Sequence, residues 1–271
     1  MLVCISLVFD TLIKLLALCK NTTRMKIIIS PAKKLNDISI SSENKTTIQF
    51  SDEAKYLVEQ LRSYSVADIK KLMSLSDSLA ELNYMRFQKW DLKSKEAIPA
   101  IYMFQGDVYK GIKAEDFSEK EMSFAQENLR IISGLYGLLR PLDLIFPYRL
   151  EMGTNLKNKH GDNLYEFWGD KLSKALLSSM DKTDFLVNLA SNEYSKSLKI
   201  NDLGVNVVTP VFKDYKNGKL KVVSFFAKKA RGEMVNFIIK NNITNPEELV
   251  SFDNNGYKFY DKKNGEILFV R

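Results

Sequence analysis

The sequence predicts an α+β fold, with strands and helices mixed in a single domain over residues 25–271, on three observations. Short apolar runs of strand length, such as residues 27–29 (III) and 185–189 (FLVNL), are interleaved with amphipathic segments of helix length. These runs do not alternate in a regular strand–helix–strand order, which favours a mixed sheet with flanking helices over a doubly wound one. Turn and capping signals are frequent: Ser65 with Asp68, Ser118 with Glu121, Asn217-Gly218 and Asn245-Pro246. With 45% hydrophobic and 27% charged residues, the chain can build a core and is not of the disordered class.

Charge and residue usage narrow the function. The net charge is +7 and the pI about 9.1, a balance that favours anionic partners, nucleic acid first among them. Cys4 and Cys19 both lie in the first 24 residues, and His160 is the single histidine. The remainder therefore has no disulfide framework and no thiolate zinc site or nucleophile, and the single histidine removes most zinc sites, Ser-His-Asp triads and Cys-His dyads. No cofactor, no metal site and no catalytic set is expected, because no spacing of the remaining Lys, Asp, Glu and Tyr is diagnostic.

Taken in order, residues 1–24 hold two apolar runs, 2–9 and 12–19, broken by Asp10 and Lys14. Those charges argue against a membrane span, and neither the leading positive charge nor the small-residue cleavage site of a secretory signal is clear. Met25 reads as the translation start and residues 1–24 as an extension upstream of it, with a weak anchor helix as the alternative. The extension carries three of the 40 Lys and Arg and one of the 33 Asp and Glu, so the body keeps +5. Residues 26–30 form a buried strand that ends at Ser30-Pro31, with Lys33 and Lys34 just beyond it, and 36–48 is a polar loop. Residues 51–90 are helical, with caps expected at Ser51, Ser65 and Ser76. Residues 98–104 are strand-like, and Gly106-Asp107 is a turn.

A capping box at Ser118 and Glu121 opens a helix whose apolar face is Met122, Ala125, Leu129 and Ile132, with Gly134 as its stop. Gly134, Gly137, Pro141 and Pro147 then stiffen a mostly apolar loop that carries Arg140 and Arg149, a form suited to recognition. His160 belongs to a solvated loop. Asn163 caps a helix running through Leu176. Residues 184–190 form a buried strand leading into Ser191, Asn192, Glu193 and Tyr194, a polar strand end of the kind that often holds a site. Asn217-Gly218 joins two strands, 205–212 and 220–227. Lys228, Lys229 and Arg231 crowd a helix start, where cations oppose the helix dipole unless an anion sits among them. Gly232 permits close approach of a neighbouring segment. A short helix at Asn245-Pro246 and a terminal hairpin, 256–259 with 266–270, complete the chain.

Seven segments resemble the YaaA family of bacterial peroxide stress proteins: MKIIISPAKKLN (25–36), LRIISGLYGLLRPLDLIFPYRLEMGT (129–154), LYEFWG (164–169), NLASNEY (188–194), TPVFKD (209–214), AKKARG (227–232) and FDNNGY (252–257). They are long, ordered and spread from residue 25 to the C-terminus. The resemblance implies a compact α+β domain with a basic cleft and a helix-hairpin-helix-like element, placed here at residues 119–140. It implies a cytoplasmic protein of the hydrogen peroxide response that binds DNA, protects it from oxidative damage and lowers unincorporated iron. In the general motif the two hairpin glycines are separated by one residue; Gly134 and Gly137 are separated by two.

On this reading the DNA-binding residues are Lys33, Lys34, Gly134, Tyr136, Gly137, Arg140, Arg149, Lys228, Lys229 and Arg231, with Tyr136 stacking on an exposed base. The expected partner is DNA, duplex or distorted and without sequence preference, bound by a monomer away from membranes. The alternative is a metal-dependent enzyme acting on nucleic acid or a nucleotide, with Asp143, Glu151 and Glu193 for Mg²⁺ or proton transfer and Lys228 or Lys229 as nucleophile. A third reading is direct iron binding by carboxylates.

Overall fold

The computed structural model describes residues 24–36, 45–92 and 96–271. All but one residue of the 1–24 extension, and residues 37–44 of the polar loop, lie outside the described residues. The strands in chain order are β1 (Met25–Ile29), β2 (Lys34–Leu35), β3 (Ile98–Pro99), β4 (Phe104–Gln105), β5 (Leu129–Ser133), β6 (Gly137–Leu139), β7 (Leu144–Ile145), β8 (Phe185–Asn188), β9 (Asn206–Lys216), β10 (Lys219–Lys221), β11 (Lys258–Lys263) and β12 (Glu266–Val270).

The α+β class holds, and the central sheet is mostly parallel. Its order is β11-β12-β9-β8-β1-β5-β6, with β10 paired to the end of β9. The five inner strands run parallel, while β6, β10 and β11 are antiparallel additions. Counted in chain order, the parallel strands stand 2-1-3-4-5 across the sheet. The chain leaves β1 for β5 towards one edge and leaves β8 for β9 towards the other. The carboxyl ends of β1 and β8 therefore flank a topological switch point, where open parallel sheets bind their ligands.

Several elements match their local signals. Ser65–Asp68 and Ser118–Glu121 form complete capping boxes, Ser76 and Asn163 cap their helices, and Pro246–Ser251 forms a short helix after Asn245. Asn217 and Gly218 take φ of 53° and 71°, the left-handed pair a two-residue hairpin requires.

Other expectations are corrected. The helix opened by Ser118 stops at Asn128, and Leu129–Ser133 is β5, paired in register with β1 (Ile27 opposite Leu129). The run LRII fits a helix face locally, but a place beside β1 buries Leu129, Ile131 and Ile132 completely, and β-branched residues suit a strand covered on both faces. β5 and β6 then form a β-hairpin, Ser133 opposite Gly137, so residues 119–140 form a helix and a hairpin of strands, not a helix-hairpin-helix.

Residues 98–104 include a helical turn, Ala100–Met103, between β3 and β4. The first helix of the flank is capped at Phe50, not Ser51. The helix through Leu176 is split into Leu164–Trp168 and Lys171–Leu177, with Gly169 at φ 50° between them. The last long helix, Ser224–Lys240, begins before the cations, which places Lys228, Lys229 and Arg231 in its second turn.

Candidate functional site

A crevice of about 340 Å³ opens at the carboxyl ends of β1 and β8. One wall is residues 30–34, leaving β1; another is Leu189, Ser191, Glu193 and Tyr194, leaving β8; Lys228 and Arg231 reach in from the Ser224–Lys240 helix. That helix is held close because Gly232 and Gly111 face each other. A Cβ on Gly232 would overlap the Val108 carbonyl oxygen, and one on Gly111 would overlap the Lys229 carbonyl oxygen. The close approach expected of Gly232 is thus to the Asp107–Ile112 helix, which contributes Asp107, Val108 and Tyr109 to the same crevice.

The two strand ends are tied by serines. Ser191 N donates to Ser30 Oγ at 2.9 Å, Ser30 Oγ lies 3.2 Å from Ser191 Oγ, and the Tyr109 hydroxyl donates to the Ser30 carbonyl at 3.0 Å. Five cations line the space, Lys33, Lys34, Arg149, Lys228 and Arg231, against the carboxylates Asp107, Glu151 and Glu193. Glu151 is shared by Lys33 at 2.6 Å and Arg149 at 3.1 Å. Glu193 accepts from Gly153 N at 3.0 Å.

The remaining positive charge is not matched. Among the described residues, Lys34, Lys228 and Arg231 have no carboxylate partner, and the buried Nε of Arg149 has no acceptor. Burial pulls the Arg231 guanidinium below its ordinary pKa. A half-buried guanidinium without a counter-charge costs free energy that a bound anion would offset. Burial also raises the pKa of Tyr109, Tyr148 and Tyr194, which line the crevice as neutral rings.

The ten residues expected to bind DNA divide. Lys33, Lys34, Arg149, Lys228 and Arg231 come together, although they are far apart in sequence. Lys229 points elsewhere, 3.5 Å from Glu233 and beside a smaller cavity with Phe225, Phe226 and Arg271. Arg140 is clamped to Asp143 at 3.0 Å, and Thr46 also donates to Asp143, which makes the group a brace for the loop after β6. Gly134 and Gly137 are packing positions. A Cβ on Gly134 would overlap the Leu150 carbonyl oxygen, while Gly137, at φ 72°, lies against the rings of Trp168 and Phe50.

Tyr136 is 0% exposed. Its hydroxyl accepts from Trp90 Nε1 at 2.7 Å and from Phe146 N at 3.0 Å, and donates to the Phe146 carbonyl at 2.9 Å. It cannot stack on a base. The stiff loop expected to serve recognition is mostly buried core: Leu142, Ile145, Phe146, Tyr148, Leu150 and Met152.

The carboxylates of the alternative enzyme reading do not share a centre. Glu151 and Glu193 line the crevice, whereas Asp143 is buried under Arg140. Among the described residues no group of three or more His, Cys, Asp or Glu could hold a metal ion. A larger, more open depression of about 860 Å³ lies beside residues 195–205, but its Lys199 is paired with Asp170 and its Lys196 lies over the Tyr165 ring. With Lys199 paired and Asp202 and Glu266 also in its lining, it holds less unmatched positive charge, so the crevice is the stronger anion site. His160 is exposed, as expected, at the edge of the Tyr56 and Phe167 rings.

The polar strand end at Ser191, Glu193 and Tyr194 is legible in the sequence as a candidate site. Ser30, Tyr109 and Tyr148 are not singled out there. The signal for Tyr109 is its place between Gly106 and Gly111, which lets its short helix pack closely.

The fold and the crevice define an α+β protein with a basic site at the switch point of a largely parallel sheet. The chain belongs to a family described as peroxide stress protein YaaA, whose family model matches residues 25–263. It is 49% identical over 251 residues to a UPF0246 protein of Aliivibrio fischeri strain MJ11, covering 91% of this chain and 97% of that protein. It is 48% identical over 254 residues to a UPF0246 protein of Teredinibacter turnerae, covering 91% and 99%. No helix among the described residues is long and apolar enough to cross a membrane.

Proposed function

We propose that this peroxide stress protein acts in the cytoplasm as a monomeric DNA-binding protein, protecting DNA from oxidative damage and lowering unincorporated iron. The observation that carries the DNA reading is the convergence of Lys33, Lys34, Arg149, Lys228 and Arg231 on one crevice, three of them without a carboxylate partner among the described residues. Phosphate oxygens are the natural counter-charge, and contacts to phosphate carry no sequence information, so binding is sequence-tolerant. The iron effect belongs to the same proposal as a cellular consequence. The described carboxylates offer no three-ligand cluster for direct chelation.

The test is fluorescence anisotropy with labelled duplex, bulged and single-stranded DNA at several salt concentrations. Each neutralised phosphate contributes a slope of about −0.9 in log K against log salt on duplex DNA, so the three crevice cations that no carboxylate engages predict a total of roughly −3. Binding to none of the three DNAs, or binding that is the same at low and high salt, contradicts the proposal.

A further inference from the structure

We propose that the crevice is a pocket for one nucleoside 5′-monophosphate unit, its phosphate held by Arg231, Lys228 and Lys34 and its base laid against the apolar wall. Three features point to a nucleotide and not to a phosphate alone. The volume, about 340 Å³, is at the small end of ligand pockets and suits a single small ligand; a simple phosphate would leave most of it empty. The cations occupy only part of the lining. The rest is apolar surface from Pro31, Val108, Leu150 and Leu189, with the buried rings of Tyr109 and Tyr194.

Polar groups are also placed for base edges and sugar. The Ser191 hydroxyl accepts from Ser30, which leaves its own proton to donate. Asp107 has no partner among the described residues and can accept from an exocyclic amine or a sugar hydroxyl. Glu151 and Glu193, already engaged by Lys33, Arg149 and Gly153 N, hold their loops in place and do not oppose the phosphate as free charges.

The unit has two sources: a free nucleotide, or a nucleotide turned out of a DNA strand, for which unstacking is least costly in bulged or single-stranded DNA. The inference builds on the DNA-binding reading of the same site, and the two fail separately.

The full-length chain is titrated by calorimetry with each of the four deoxynucleoside 5′-monophosphates, with deoxyribose 5-phosphate and with inorganic phosphate. At least one nucleotide is expected to bind tenfold or more tightly than either control. Arg231→Gln should weaken that nucleotide at least tenfold and Arg231→Lys less. Lys228→Gln, at an exposed position, should also weaken it severalfold if Arg231→Gln proves poorly folded. Nucleotides binding no better than inorganic phosphate, or the Lys228→Gln and folded Arg231 variants binding as the parent does, overturn the proposal.

The second arm uses bulged DNA with 2-aminopurine at the bulge. A fluorescence rise on binding, abolished by Arg231→Gln, assigns the source to DNA; nucleotide binding without that rise assigns it to the free pool. Salt-dependent DNA binding with no nucleotide affinity and no fluorescence change leaves the DNA reading standing and removes this inference. Nucleotide binding without DNA binding does the reverse.

Discussion

Tyr136 separates a structural role from a binding role at the level of one hydroxyl. It satisfies Trp90 Nε1 and both backbone groups of Phe146, all of them buried. Tyr136→Phe removes every one of these bonds, and unsatisfied buried groups cost about 1–3 kcal/mol each, so urea denaturation should register a loss of about 2 kcal/mol or more. DNA affinity of the folded protein should be unchanged, because the ring lies in the core and not on the binding surface.

Lys26 gives a second residue-level test. It is 3% exposed in the middle of β1, its ammonium donates to the Glu127 carbonyl at 2.9 Å, and burial lowers its pKa from 10.5. The unfolded chain therefore binds the proton more tightly than the folded one. In the window from the lowered folded value up to 10.5, the unfolded state carries more protons, and stability rises with pH. Lys26→Met should flatten that rise, seen by comparing urea unfolding of the two proteins across pH 8 to 10 (~2 pH units). Parallel pH profiles would show that burial does not disfavour the charge.

Legibility at the element scale depends on how local each signal is. Capping boxes and the Asn-Gly hairpin need only neighbours in sequence, and Ser65, Ser118 and Asn217 take the roles their neighbours predict. The fate of residues 129–133 is decided by β1, a hundred residues away, because LRII satisfies a helical and a buried-strand pattern equally well. The same holds for the glycines of the 133–137 hairpin. Sequence shows that a side chain is missing but not which neighbour needs the space, here Leu150, Trp168 and Phe50. Half of the proposed DNA-binding residues converge because they stand at strand ends or on a helix packed there; Tyr136, Gly134 and Gly137 sit where the core needs them.

The contact between the Asp107–Ile112 and Ser224–Lys240 helices sets the crevice width. Gly232→Ala places a methyl on the Val108 carbonyl, and overpacking of this kind costs about 1–3 kcal/mol. The expected outcome is a lower melting temperature together with weaker DNA binding, since Lys228 and Arg231 move with their helix. A lower melting temperature with unaltered binding would separate the helix contact from the site.

For the whole molecule, the net charge of +7 attracts polyanions from every side, so affinity alone does not locate the site. Location is set by which cations govern the salt dependence. Lys228 and Arg231 line the crevice, while Lys258 and Lys263 stand on β11, at the outer edge of the sheet. The most direct measurement is the slope of log K against log salt for duplex DNA in two double variants, Lys228→Gln with Arg231→Gln and Lys258→Gln with Lys263→Gln, each removing the same charge. A crevice that holds the phosphates predicts that the first pair reduces the slope by about 2 and the second leaves it as in the parent. Equal slopes for the two pairs, or a larger loss from the edge pair, would contradict a DNA site at the switch point.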